Sequence, residues 1–292
     1  MARALIVIGG GRHPAAEVCR VLQVSRSNVL ERRSGRKDRR GRAPNNDPVV
    51  IKQLVDVASV RPAYGYRRLW ALLRRARRKE GLLPVNAKRV YRLADEHHLL
   101  LQRHTGNPPA MRVHEGKVAV QRSDERYCSD GFEIACDSRE RVRVAFSLDC
   151  CDRQLIAYAA TTGGISGELV RDVMVQTMCN RFGEVAELPS PAQWLSDNGS
   201  GYIARETRGF AQDIGLEPCR TPIRSPQSNG MAESFVKTFK RDYVDVNPTP
   251  DAATVINMLP IWFADYNAVH PHGALSYRSP NEFRDDNLSP KT

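Results

Sequence analysis

Three acidic residues stand in the phrases of this chain best suited to chemistry: Asp130, Asp197 and Glu233. Asp197 closes the apolar run Trp194-Leu195-Ser196 and opens a turn through Asn198, Gly199 and Ser200. Glu233 follows after 35 intervening residues, just inside a helix announced by Ser225-Pro226-Gln227-Ser228-Asn229-Gly230. An acid at a strand end and an acid in a first helical turn can meet at one point, where their oxygens would hold hard divalent cations. Two such cations, ~4 Å apart, are how proteins cut and rejoin phosphodiester backbones. Asp130 would be the third acid, within the strand-like Tyr127-Cys128-Ser129-Asp130-Gly131-Phe132, where a buried carboxylate is costly unless something satisfies it. Its rival is Asp149, at the end of the next strand in Leu148-Asp149-Cys150-Cys151-Asp152-Arg153, a setting that turn chemistry also explains. Glu133 and Asp124 rank behind both.

The helix that carries Glu233 is capped by Ser228 or Asn229, and Lys237 and Lys240 follow the acid at i+4 and i+7. That spacing puts both lysines on the acid's face, which suits a DNA backbone passing over it. An exposed i,i+4 ion pair of little energetic consequence is the competing reading. Other apparent motifs carry less. His270 and His272 have no third metal ligand near them in sequence, and a Pro-containing loop accounts for them. Gly9-Gly10-Gly11 and Gly163-Gly164 lack the strand-helix context and the Lys-Ser/Thr of a nucleotide loop.

The elements that must position these residues divide the chain near residue 110. Residues 1–110 hold 24 Lys+Arg against 8 Asp+Glu, a balance of +16, and the remainder holds 20 against 25, or −5, within a net +11 over 292 residues. A polycationic head before a mildly acidic body fits a part that grips phosphate and a part that holds metal. From Pro14 to Arg33 the spacing of Val18, Val21-Leu22 and Val29-Leu30 predicts two short helices around a turn at Gln23-Val24, with Ser25 capping the second, a helix-turn-helix outline. Residues 32–42 form a basic linker. A second helical unit runs from Pro48 to Leu101. Its Tyr64-Gly65-Tyr66-Arg67-Arg68 leads into one helix, and Asn86 caps another that turns Val90 and Leu93 inward and leaves Lys88, Arg89 and Arg92 to solvent or DNA. Trp70 belongs to the core of this hairpin. Residues 1–110 thus read as a basic DNA-binding region, 111–120 as linker, 121–285 as a catalytic core and 286–292 as a tail.

Beyond the linker the pattern changes to strands at 127–136, 141–149 and 154–162, with hairpin turns at 137–140 and 150–153. A helix at 167–182, a buried strand at 193–196, a helix at 205–214 and a strand at 216–219 complete a mixed sheet covered by helices, an α/β core. Seven scattered cysteines without a C-x-x-C pair read as reduced thiols, and zinc is not expected. No apolar run approaches a membrane span, the opening residues are too short for a secretory signal, and a cytoplasmic location is the expectation.

Ser196-Asp197-Asn198-Gly199, the phrase from Ser225 to Glu233, and Lys240 together resemble the DDE transposases of bacterial insertion sequences, most closely the OrfB type with its retroviral-integrase-like core. Asp265-Tyr266-Asn267-Ala268-Val269-His270-Pro271-His272 and Leu275-Ser276-Tyr277-Arg278-Ser279-Pro280 are similar to that core's C-terminal phrase, and the Tyr64 and Asn86 phrases to the preceding helix-turn-helix region. The resemblance spans roughly residues 50–285. It implies an RNase H-like fold and Mg²⁺-dependent cutting and joining of element ends by Asp130, Asp197 and Glu233, with two Mg²⁺ ions that Mn²⁺ can replace. It favours Asp130 over Asp149, since the first acid of such a fold sits on its first strand, although Tyr127 stands where the family commonly has Trp. Arg67, Arg68, Lys88, Arg89, Lys237 and Lys240 are the expected DNA contacts. Partners are the element ends and target DNA, further copies of the chain on that DNA, and the product of an upstream frame. Two rival functions remain at this point: a DNA-binding regulator with an inactive core, and a nuclease that cuts without joining.

Overall fold

The computed structural model describes residues 5–8, 11–25, 29, 47–102, 119–183, 191–196, 199–220 and 230–288. The chain forms two compact units, residues 1–47 and 48–292. In the first, strands β1 (Leu5–Ile8) and β2 (Gly11–Pro14) pair antiparallel and lead into helix α1 (Ala15–Val21). Pro14 is the N-cap of α1, with extended φ −60° and ψ 129° and no side-chain cap hydrogen bond. Gln23 turns the chain beyond α1 with φ +52°. The helix expected to follow and the basic linker at 32–42 lie, Val29 apart, outside the described residues.

The second unit opens with three helices: α2 (Asp47–Val60), α3 (Tyr66–Lys79) and α4 (Ala87–Glu96). None can bury its apolar stripe alone, so they close on a shared core of Val50, Leu54, Tyr64, Leu69, Leu73, Val90 and Leu93. Asn86 caps α4 by accepting from the Lys88 amide at 2.8 Å. Arg77, Arg78 and Lys79 fill the last turn of α3, where the helix dipole favours cations. Trp70 packs against this core, with its Nε1 donating to the Val85 carbonyl at 2.8 Å.

The body of the unit is a five-stranded sheet of β3 (Arg126–Ala135), β4 (Arg141–Asp149), β5 (Leu155–Thr161), β6 (Ala192–Ser196) and β7 (Leu216–Arg220), in the order β5-β4-β3-β6-β7. β3, β4 and β5 form an antiparallel meander, and β6 and β7 add on in parallel. Parallel addition needs crossovers, supplied by α5 (Gly167–Phe182) before β6 and α6 (Arg205–Asp213) before β7. This is the RNase H-like arrangement.

Side-chain alternation sorts the two faces. Tyr127, Ala145, Ala157 and Trp194 meet Val170, Val173 and Met174 of α5. Cys128, Phe132, Val144, Phe146 and Leu148 face the other way, onto α7 (Gly230–Phe239) and α8 (Ala252–Val269). That second layer is aromatic: Phe235 lies 4.6 Å from Phe146, and Phe239 lies 4.6 Å from Phe263, between ring centroids. The sequence reading carried no helix through 252–269. Apolar residues on most sides of α8 and Pro260 in its interior obscure the helical period. A π turn, Lys240–Val244, extends α7, and α9 (Pro280–Leu288) ends the described chain.

Arg61, just past α2, and Arg68 and Arg75 of α3 fasten this helical part of the unit to the aromatic layer. Arg61 pairs with Asp265 at 2.5 Å and Arg68 with the fully buried Asp242 at 2.9 Å. Arg75 donates to the carbonyls of Val269 and Tyr277 and reaches Glu282 at 2.7 Å.

Candidate active site

β3 and β6 run side by side and parallel, and their described pairing ends with Ser129 opposite Ser196. The next residue of each strand's chain is an acid. Asp130 is half-buried on β3, with Oδ1 accepting from the Gly131 amide at 2.7 Å. Asp197 lies outside the described residues. Ser129, next to Asp130 in β3, is fully buried, donating to the Phe146 carbonyl at 2.7 Å with the Tyr202 hydroxyl 3.2 Å away. A Cβ on Gly131 would meet the tip of the Ile165 side chain, which would have to move aside.

Glu233 occupies the first turn of α7, and Lys237 Nζ stands 4.0 Å from its carboxylate. α7 is held on the sheet by Met231, Ala232, Phe235 and Phe239, which leaves Glu233, Lys237 and Lys240 at i, i+4 and i+7 along its flank. The capping phrase from Ser225 to Asn229 lies outside the described residues. Among the described residues no group of three or more His, Cys, Asp or Glu side chains gathers to hold a metal. The expected set draws on Asp197, which is not among them. Carboxylate oxygens are nonetheless the donors that Mg²⁺ takes.

Asp149 has other employment. Its Oδ1 accepts from the amides of Cys151 and Asp152, at 2.6 and 3.0 Å, and its Oδ2 from the Asp124 amide at 2.7 Å. It is fully buried beside Asp152 and Arg181, and Arg284 closes the cluster by reaching Asp124 and Asp152 at 3.3 and 3.1 Å. Burial, and then the Asp152 charge, push its carboxyl up to about 6. Asp149 ties off a turn.

The basic residues separate similarly. Arg67 is exposed, with its guanidinium over the Tyr66 ring at 5.6 Å, and Tyr66 meets the exposed Tyr91 edge-on at 4.9 Å. Lys88 is exposed and Arg89 half-buried on α4. Arg68 instead turns inward to Asp242.

Residues 48–105 match the HTH-like domain family, and residues 120–226 and 214–280 match two families described as integrase core domains. Transposase InsD for insertion element IS2D, from Escherichia coli strain K12, is 50% identical over 286 residues, covering 97% of this chain and 93% of that one. The chain belongs to the insertion-element transposases. Among solved structures, this transposase aligns with a simian T-cell lymphotropic virus intasome in complex with PP2A regulatory subunit B56 gamma, at 14% identity over 82% of this chain and 75% of that one, with a TM-score of 0.49. It also aligns with the Mos1 transposase catalytic domain solved with raltegravir and Mg, at 14% identity over 48% and 71%, with a TM-score of 0.40. The sheet order and the half-identical relative carry the family assignment without them.

The sequence reading of this transposase missed the acids that receive its arginines. A signal was present: Asp242 sits between Phe239 and Tyr243 at core spacing, and a carboxylate there requires a cationic partner. Its neighbour Arg241 answers it at 2.6 Å, and no local pattern tells that Arg68, 174 residues away, does so too.

Proposed function

We propose that this transposase cleaves DNA at the ends of an insertion element and joins the freed ends to target DNA, using Asp130, Asp197 and Glu233 to hold divalent metal. The register at Ser129 and Ser196 carries the reading, because an acid follows each of these neighbouring residues in sequence. The helix bearing Glu233 packs on the same sheet through Phe235 and Phe239. When bound, Mg²⁺ supplies charge neutralisation at the attacking and leaving oxygens, a task in which Mn²⁺ can stand in.

The chain's own residues do the rest. Lys237 and Lys240 steady the phosphate backbone along the flank of α7. Arg67 and Lys88, with Tyr66 and Tyr91 beside them, grip the element end through phosphate contacts. No side chain forms a covalent bond to DNA, since a freed 3′-hydroxyl is the joining nucleophile. Joining two ends in one event calls for several copies of the chain on DNA.

Glu233→Gln keeps the shape of the side chain and removes its charge. The full chain carrying it is expected to shift a labelled element end in a gel as the wild type does, while neither nicking nor joining it. Full cleavage by the variant would overturn the assignment. Joined products from the wild type exclude a nuclease that only cuts. A wild type that binds with EDTA present and never nicks when Mg²⁺ is restored would be a regulator.

A further inference from the structure

A cavity of about 250 Å³ lies beside α7, on the face reached by Ser234 and Thr238 and one step round the helix from Glu233. Taking ~30 Å³ per water, it has room for a tetrahedral oxyanion with some solvent. Its polar lining is basic and hydroxylic: Arg68, Arg153, Ser234, Thr238, His270 and His272, with no acidic residue among the described residues that line it. Three buried nitrogens there have no hydrogen-bond partner, namely Arg153 Nε, His270 Nε2 and His272 Nε2. Such atoms cost free energy unless a ligand or solvent meets them, and three in one cavity mark a built site.

The other side of His270 indicates what the cavity binds. His270 is 1% exposed, and its Nδ1 shares a hydrogen bond with the Tyr64 hydroxyl at 2.9 Å. Asp242 Oδ2, at 3.6 Å, is beyond hydrogen-bond reach and already accepts from Arg68 and Arg241. In the tautomer whose Nδ1 accepts from Tyr64, the proton is on Nε2, on the side of the ring away from Tyr64, and Nε2 is a donor. Neutral imidazoles could instead offer lone pairs to a metal. Arg68 is already paired with Asp242, but Arg153, with no carboxylate or thiolate among the described residues of the lining, opposes a cation and favours an anion.

We infer that this cavity is a phosphate-binding site, in which Arg153, His270 and His272 donate to the oxygens and Arg153 supplies the unpaired positive charge. The phosphate comes from a DNA backbone crossing α7 or from free inorganic phosphate. Only the DNA source rests on the strand-transfer reading, and Glu233→Gln tests that reading separately.

The test titrates inorganic phosphate into the full-length protein at constant ionic strength, following the imidazole Cε1–H resonances of His270 and His272. Both are expected to shift saturably, and Arg153→Met is expected to weaken the phosphate midpoint by about tenfold, the loss of one charge-assisted hydrogen bond. A DNA duplex used in place of phosphate separates the sources. Matching shifts with the duplex assign a backbone phosphate, and shifts with inorganic phosphate alone assign the free anion. Resonances that stay still with both, or that move with Zn²⁺ and not with phosphate, overturn the proposal. Should Arg153→Met fail to fold, the wild-type titration decides alone.

Discussion

Two aspartates on one hairpin sit in opposite settings. Asp130 pairs with Phe146 and Asp149 with Tyr127, three residues or ~10 Å apart along the same ladder. Asp149 is fully buried, and three backbone amides occupy its oxygens. Asp130 is half-buried and accepts from the Gly131 amide, one residue beyond the last described pairing of β3 with the parallel β6, Ser129 with Ser196. Residue type is shared, and setting separates them. A carboxylate whose lone pairs are spent on backbone amides is poorly placed to coordinate a cation.

The sharpest way to break this contrast is to exchange the losses. Asp130→Asn is expected to lower strand transfer by about 10²–10³-fold or more while leaving stability within about 1 kcal/mol. Asp149→Ala is expected to cost about 3–5 kcal/mol by stranding three amides and Arg181, with activity per folded molecule retained. Urea unfolding beside a strand-transfer assay reads both, and swapped outcomes would make Asp149 the catalytic acid.

Titration sharpens the same comparison. Burial holds Asp149 at about 6 in the folded chain, above the ordinary carboxylate value of 3.8, so the folded state keeps this proton longer than the unfolded state does. The stabilisation from that proton is full below about 3.8 and is lost as pH rises through about 6, a swing of about 3 kcal/mol. Wild type measured against Asp149→Asn should therefore gain stability between pH 6 and pH 4. A pH-independent difference would contradict the burial argument.

Adjacent arginines repeat the lesson on α3. Arg68→Ala is expected to cost about 2 kcal/mol by removing one of the guanidinium partners of the buried Asp242. Arg67→Ala should leave stability unchanged, weaken DNA binding across sequences and lower the salt slope of binding by about one. The smallest effect belongs to Lys237. Its exposed pair with Glu233 spans 4.0 Å, so Lys237→Ala should move stability by less than about 0.5 kcal/mol and slow strand transfer only modestly.

Much of this architecture was legible in the sequence because local patterns encode it. Alternation fixed β4 at Arg141–Asp149 and helical spacing fixed α5 at Gly167–Phe182, as expected from residues alone. The β1–β2 hairpin was missed because four-residue strands give alternation too little length. The inward turn of Arg68 was illegible for a different reason: Arg67 and Arg68 are neighbours of one type, and only the distant Asp242 tells them apart. The acids were picked out by their phrases, and Asp130 and Glu233 lie on the elements expected of them, β3 and the first turn of α7.

The arginine anchors of α2 and α3 bear on how such transposases could exchange parts. Arg61, Arg68 and Arg75 are donors whose acceptors, Asp265, Asp242 and the Val269 and Tyr277 carbonyls, belong to the far end of the chain. A recombinant that borrowed another element's HTH-like helices would lack the matching donors, leaving Asp242 with Arg241 as its remaining arginine. Retargeting by module shuffling would then succeed only where the three arginines travel with the helices, making these two stretches of the gene a single heritable cassette.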